Sequence, residues 1–577
     1  MQAVSEGLAR DFPATNAGRS IAVEPLQGAL IGRELQRTSV LFIGVVGFIL
    51  LICCANVANL LLARASARTR ELAIRSALGA DRSRVTRQML TESLLLSTLG
   101  AALGLALGAV ILEVAPAVIP PTVLPPAVSL TFDVRVVVFC ALTALLVGLL
   151  FGLAPAWQAT RLSLAQATAA DSRTATGSNG RMRSALVVGE VAAAVLLLFG
   201  AGLLLRTLMA VENVDRGYQV ESALTMIVDP LDGRYPSQDA LVRFFDTIAE
   251  EVRAAPGVRS VAWASTVPLG SSYVGRWLYD IEGRPPLMER EHANADYQIV
   301  SASYFSTVDL PVVEGRAFSD RDTRDGIPVC IVNEALVRLH FADESPIGRR
   351  IALRQTAERP AVVREIVGVA RQVKERPDEI EELVQVYVPI SQHAVGDMFL
   401  IVRPASGQAE ALTPAVRAVI GRVDREQLVS VRNVMTLDDV ARDATSRYRF
   451  RAVLVVTFAV LALTLAMVGV SGILAYSVQR RLREFGVRRA LGATTADLVR
   501  LVSGAALRVV ASGAGIGLAL SALFGRLLTA MLFGVEPVDL VTFAMVMVAL
   551  LLTVVVAAAG PAWRAIRVDP AVALRGE

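Results

Sequence analysis

Seven stretches of the chain, near residues 39–62, 93–114, 136–157, 185–206, 452–476, 502–530 and 538–560, are apolar over the length a helix needs to cross a bilayer. Inside lipid the backbone has no water to bond, so each must close its own hydrogen bonds as a helix. Mean hydropathy is +0.52 and 54% of residues are hydrophobic, above what a soluble chain of this size carries. Residues 207–451 differ: short apolar alternations, Pro/Gly turns and ordinary charge read as a folded aqueous domain. Several spans around one large polar insert describe an integral, multi-pass membrane protein.

The net charge of +4 comes from arginines set in particular loops. Residues 63–92 hold seven of them, from Arg64 to Arg87, and residues 477–501 hold six. Loop 115–135 has only Arg135, and loop 531–537 has none. Charge distributed this way orients a membrane protein, and argues against nucleic acid as a partner. The basic loops and the C-terminus are placed in the cytoplasm. The N-terminus and domain 207–451 are placed outside.

The chain repeats itself. "RTRELAIRSALGA" at 68–80 returns as "RLREFGVRRALGA" at 481–493. At a common offset Gly100 and Gly104 match Gly513 and Gly517, and Gly108 falls opposite Ser521. Small residues four apart let membrane helices approach closely, so these glycines are expected to be packing positions. "PAWQATR" (155–161) returns as "PAWRAIR" (561–567). Each repeat is therefore three spans, in 39–161 and 452–577. The Ser/Thr/Gly/Ala-rich 162–184 reads as a cytoplasmic linker, and 185–206 as a further span before domain 207–451. Only 38 residues precede the first repeat. By comparison with the second, the expectation is an upstream span and first outer domain, of which 1–38 is the tail.

Within the repeated segment Glu71 and Arg75, and Glu484 and Arg488, stand four apart, as a helical ion pair requires. Gly79 and Gly492 end that helix, and Asp81 or Thr494 caps the next. Each copy thus predicts a short surface helix, a turn, and a helix entering the membrane. One reading is a basic anchor touching anionic lipid; the other is a docking helix. An anchor needs charge but no fixed Ala-Leu-Gly-Ala turn, which favours docking.

"RELAIRSALGA", "REFGVRRALGA", the Gly-rich spans and the Pro-Ala-Trp endings resemble the FtsX/MacB-type permeases of ABC transporters. In the outer domain "VSASYFSTVDLPVVEGRAF" (300–318), "IVNEALVRLHFADESPIGRRI" (331–351) and "EIVGVARQVK" (365–374) resemble the MacB periplasmic core. The double repeat is most similar to the duplicated, acidobacterial-type permeases. The resemblance implies an α-helical polytopic protein of about seven spans, in two FtsX-like three-helix repeats, with an α+β outer domain. It implies ATPase-docking roles for Arg70, Glu71, Arg75, Leu78 and Gly79, and for Arg483, Glu484, Arg488, Leu491 and Gly492. The implied partners are separate ABC ATPase subunits, two for two segments, with membrane lipid and a periplasmic adaptor among the possibilities. The setting is the bacterial inner membrane. The implied function is export, or mechanical work outside the membrane; an FtsX-like regulator of an external enzyme, or an orphan scaffold, is the alternative.

The chain itself shows no enzymatic constellation. Lys374 is the only lysine and lies in "RQVKER", so no Walker A loop is present, and ATP is expected on the partner. His292, His340 and His393 lack metal-ligand spacing, and Asp320, Asp322 and Asp325 read as solvated turn charge. No metal or cofactor is expected in the chain. Cys53, Cys54, Cys140 and Cys330 read as small apolar residues. Glu190 and Arg508 fall inside spans, where snorkelling or interhelical hydrogen bonding is expected.

Overall fold

The computed structural model describes residues 2–12, 25–67, 82–119, 123, 131–161, 177–214, 217–218 and 223–566, less 232, 271–274, 285–293, 342–343, 357–358, 375–381 and 427; between 481 and 493 it describes Glu484, Val487, Arg488 and Leu491. The chain divides into two compact units, residues 1–23 with 211–446 and residues 24–210 with 447–577.

In chain order, α1 (Gln2–Asp11) is followed by four long helices: α2 (Leu26–Ala67), α3 (Arg82–Val118), α4 (Val134–Arg161) and α5 (Gly177–Glu212). The outer domain opens with β1 (Leu224–Pro230), α6 (Gln238–Arg253) and β2 (Val258–Ala264). A lobe of further strands follows: β3 (Gly275–Ile281), β4 (Asn294–Val300), β5 (Val312–Gly315), β6 (Val329–Asn333), β7 (Arg350–Arg354), β8 (Val362–Ala370) and β9 (Gln385–Pro389). Then come β10 (Met398–Pro404), α7 (Thr413–Val423) and β11 (Val429–Thr436), and finally α8 (Leu437–Arg480), α9 (Thr495–Gly525) and α10 (Leu540–Ile566).

The outer domain repeats a strand–helix–strand plan, as its sequence predicts at 222–268 and 398–431. The strands run β11-β1-β10-β2 with antiparallel neighbours, so each βαβ crossover skips one strand. This is the split-βαβ arrangement. Alternation sorts the sheet residues. Met226, Val228, Trp263 and Leu400 pack with Phe245, Ile248, Val252 and Val416 of α6 and α7. Ile227, Ala262 and Ile401 face the other way, onto Tyr304, Phe305 and Leu437. Trp263 donates its indole N–H to the Phe245 carbonyl (2.9 Å), satisfying its one polar atom. Between the split-βαβ part and the inserted lobe, β2 and β4 share a single register pair, Ala264 with Val300. Four bonds reinforce it: the Ser265 N–H donates to the Ile299 carbonyl (2.8 Å) and the Ser301 N–H to that of Trp263 (2.9 Å). Their hydroxyls accept from the Ile299 and Trp263 N–H groups, each at 2.9 Å.

Among the described residues, six helices are long and apolar enough to cross a bilayer, and a seventh, shorter apolar stretch, Val134–Leu149, lies in α4. α5 is the most enclosed of the six. Its residues Val187, Val191, Val195, Phe199 and Leu203, four apart, meet α8, α9 and α10 through Val470, Leu474, Val510, Ala514, Val546 and Leu550. Its opposite stripe, Ala194, Leu197, Ala201, Leu204 and Leu208, meets Val45 and Ile52 of α2 and Ala452, Ala459 and Ala466 of α8. One helix is thus shared between the two repeats. It starts at Gly177, so the end of the linker expected at 162–184 is already helical.

Candidate docking segment and helix seats

The second basic segment is seen at four positions. Glu484 Oε1 and Arg488 Nη2 pair at 2.6 Å, one helical turn apart and both half-exposed. The Leu491 N–H donates to the Val487 carbonyl (3.0 Å), which continues the helical turn. Leu491 is 83% exposed and Val487 45%. An ion pair this exposed adds only a few tenths of a kcal/mol, so it shapes the segment more than it stabilises it. Arg70, Glu71, Arg75, Leu78 and Gly79, with Arg483 and Gly492, lie outside the described residues.

Thr494 caps α9 as its sequence predicts. Its hydroxyl accepts from the Asp497 N–H (3.3 Å), while Asp497 Oδ2 accepts from the Thr494 N–H (3.1 Å) and hydroxyl (2.6 Å). The hydroxyl and N–H of Thr494 hold the Asp497 carboxyl below the usual carboxylate range. Reading Thr494 alone misses Asp497, although Thr-x-x-acid is a capping-box spacing.

The repeated glycines behave differently in the two halves. A Cβ on Gly513 would sit 2.7 Å from Val191 Cβ and 2.8 Å from the Val188 carbonyl oxygen; on Gly517, 2.7 Å from Val195 Cβ and 2.8 Å from that of Ala192. Both are therefore seats into which valines of α5 settle. Ser521, opposite Gly108, is fully buried and returns its hydroxyl to the Gly517 carbonyl (2.7 Å). In the first repeat a Cβ on Gly100 or Gly104 would meet nothing within 4 Å among the described residues, and one on Gly108 would meet only the Phe132 ring at 3.6 Å. The close approach expected at Gly100 and Gly104 is thus not made by the described helices, because α3 and α4 close instead at Gly148, whose Cβ would lie 2.5 Å from Ser97 Oγ.

Glu190 is 2% exposed and forms an interhelical polar cluster. Asn59 of α2 donates to its Oε1 (3.3 Å), and Asn56 donates to the Leu465 carbonyl of α8 (3.0 Å). Gly469 leaves room for the carboxyl, since a Cβ there would lie 2.0 Å from Glu190 Oε2. Glu190 Oε2 and Asn59 Oδ1 find no partner among the described residues. Sequence reading picked out Glu190 but not Asn56 and Asn59, whose spacing of three inside an apolar run was the available signal. Arg508 is exposed, and its Nε donates to the Gly504 carbonyl (3.4 Å).

Several polar residues of the outer domain bond within it. Asp322, expected to be solvated, is 5% exposed. It takes two bonds from Arg316 (2.8 Å each) and one from the Ser319 N–H (2.8 Å). The guanidinium holds its carboxyl below the usual range. His340 and His393 pair with the hydroxyls of Tyr279 (2.8 Å) and Tyr297 (2.7 Å). His292 lies outside the described residues. All four cysteines are free thiols, and burial pushes Cys330 up to about 12. Among the described residues no His/Cys/Asp/Glu cluster has metal-binding geometry.

Comparison with known proteins follows this division. A family model for the FtsX-like permease C-terminal region matches twice, at 43–164 and 456–570, and one for the MacB-like periplasmic core domain matches 184–419. A probable export ATP-binding/permease protein of Pseudomonas fluorescens is 28% identical over 44% of this chain and 40% of its own length. The macrolide export ATP-binding/permease protein MacB of Bartonella quintana is 28% identical over 48% of this chain and 42% of its own. The chain thus spans less than half the length of these relatives. The periplasmic region of MacB from Actinobacillus actinomycetemcomitans aligns over 41% of this chain and 96% of its own, at 14% identity and a TM-score of 0.27. Both membrane repeats and the domain between them are matched by these models, and the chain belongs to the FtsX/MacB-type ABC permeases.

Proposed function

We propose that the chain is the permease subunit of an ABC-type machine, driven by separate cytoplasmic ATPase subunits that dock on 68–79 and 481–492. The observation that carries this reading is Leu491, an 83% exposed leucine ending a charged helical turn just before the capped start of α9. Burying such a side chain in a partner is worth about 1.5–3 kcal/mol. α9 is stiff from its capping box onward and carries Gly513 and Gly517, so a push on the segment passes to Val191 and Val195 of α5. α5 leads in sequence into the outer domain. The work is done outside the membrane, on a substrate exported or a partner deformed. The arginine-rich loops support an orientation in a bacterial inner membrane with the docking segments and C-terminus on the cytoplasmic side and the N-terminal residues outside.

The test is capture of the full chain from membranes, with Leu491→Asp and Gly79→Pro/Gly492→Pro in parallel. Co-recovery of an ATPase with the wild type, lost in the variants, is expected. An ATPase that follows all three chains equally, or none with any, would leave the segments as lipid anchors.

A further inference from the structure

None of the helices that enclose α5 supplies a counter-charge to Glu190. On α5 itself it is the sole charged residue between Arg183 and Arg206. α2 has none between Arg37 and Arg64, α8 none between Arg451 and Arg480, and α10 none between Asp539 and Arg564. On α9, Arg508 is exposed and bonds its own helix at the Gly504 carbonyl. The Cys53 thiol of α2 is a further titratable group close to Glu190, and it carries no positive charge in either form.

Two acceptor oxygens are left over in the same cluster. Glu190 is 2% exposed. Its Oε1 accepts one long bond from Asn59, while Glu190 Oε2 and Asn59 Oδ1 have no partner among the described residues. Asn56 Oδ1 is close by, since a Cβ on Gly469 would lie 2.0 Å from Glu190 Oε2 and 3.2 Å from Asn56 Oδ1. An ionised carboxylate shut away from water is costly, and such groups are paired, neutralised or bound to a cation. A water satisfies the oxygens but leaves the charge. If the cluster only joined helices, an amide at 190 would do so with no charge to bury.

We propose that Glu190 Oε2, with the amide oxygens of Asn56 and Asn59, forms a binding site for one small monovalent cation, a proton or a sodium ion. Either neutralises a single carboxylate and suits oxygen donors, whereas a doubly charged ion leaves the site positive. The site joins α2 of the first repeat, α5, and α8 of the second, so the cation completes the polar contact between the two repeats. The assignment is independent of ATPase docking.

The full chain in detergent is melted from acid to alkaline pH in choline chloride, and at fixed pH with sodium chloride replacing choline chloride, each time beside Glu190→Gln. A cation held only by the folded chain stabilises it by mass action. Subtracting the variant removes the other titrating groups, Asp322 among them. The wild-type melting temperature, relative to the variant, should fall by several degrees as pH rises if the occupant is a proton, or rise with sodium at fixed pH if it is sodium. A difference blind to both would overturn the proposal and leave a trapped water as the occupant. Should Glu190→Gln not fold, dicyclohexylcarbodiimide, which modifies protonated carboxyls in apolar surroundings, reads the wild-type site directly. Its labelling of Glu190, mapped by mass spectrometry, should slow at least tenfold on raising the pH or on adding sodium. No label, or a rate indifferent to both, would again overturn the proposal.

Discussion

Gly517→Ala should damage the membrane unit, and Gly104→Ala should not. The added methyl at 517 would meet Val195 Cβ at 2.7 Å and the Ala192 carbonyl oxygen at 2.8 Å, neither of which is the mobile end of a side chain. Restoring ordinary contact at 3.4 Å requires α5 and α9 to part by about 0.7 Å. A gap of that size forfeits a quarter to a half of the dispersion energy along the seam. Overpacking of this kind costs about 1–3 kcal/mol, and the gain in helix propensity returns up to about 1. A net loss of up to about 2 kcal/mol is expected at 517, against no loss or a slight gain at 104. Thermal unfolding of the purified chain in one detergent, both variants side by side, measures the difference. Equal melting temperatures would refute the reasoning that α5 is seated at backbone distance.

Other outcomes follow from the same structure. Asn59→Leu, which deletes the interhelical bond to Glu190, should cost about 0.6–1.7 kcal/mol of unfolding free energy. Glu190→Gln, which keeps an acceptor for Asn59, should cost less than Glu190→Ala in the same assay. The depressed carboxyl of Asp322 stabilises the outer domain at pH values above the ordinary aspartate pKa, and that stability is lost as pH falls through its lowered value. Asp322→Asn should therefore unfold more readily at pH 7, by about 1.5–3 kcal/mol, and show a flatter acid limb in tryptophan fluorescence. Thr494→Ala removes the cap of α9 and should cost about 0.5–2 kcal/mol, read as faster hydrogen exchange in its first turn.

The layout was legible because each part has its own period. Long apolar runs announced the helices, and short β-like runs on either side of an amphipathic helix announced β1, β2, β10 and β11. The repeat was visible because the two copies share residues at one offset. What sequence could not give was which stripe meets which. Gly100 and Gly513 read alike, yet among the described residues only Gly513 has a helix against it, because packing depends on a neighbour remote in the chain. Asp322 looked like turn charge because its partner Arg316 declares itself only through the fold. Asn56 and Asn59 were passed over because polar residues in an apolar run carry no partner label.

The seats on α9 also limit how the molecule can move. Val191 and Val195 stand four residues apart, as do Gly513 and Gly517, and the pairs run in the same direction. β-branched side chains are stiff at χ1, so the valines cannot fold away as the helices slide. A slip of α5 by less than a turn would press a valine against side chains between the seats. A slip of a full turn would return Val195 to Gly513 but drive Val191 toward Val509. The pair of helices therefore has discrete registers and no smooth path between them. A stroke delivered along α9 would carry α5 with it as one body, or lift it out of its seats altogether.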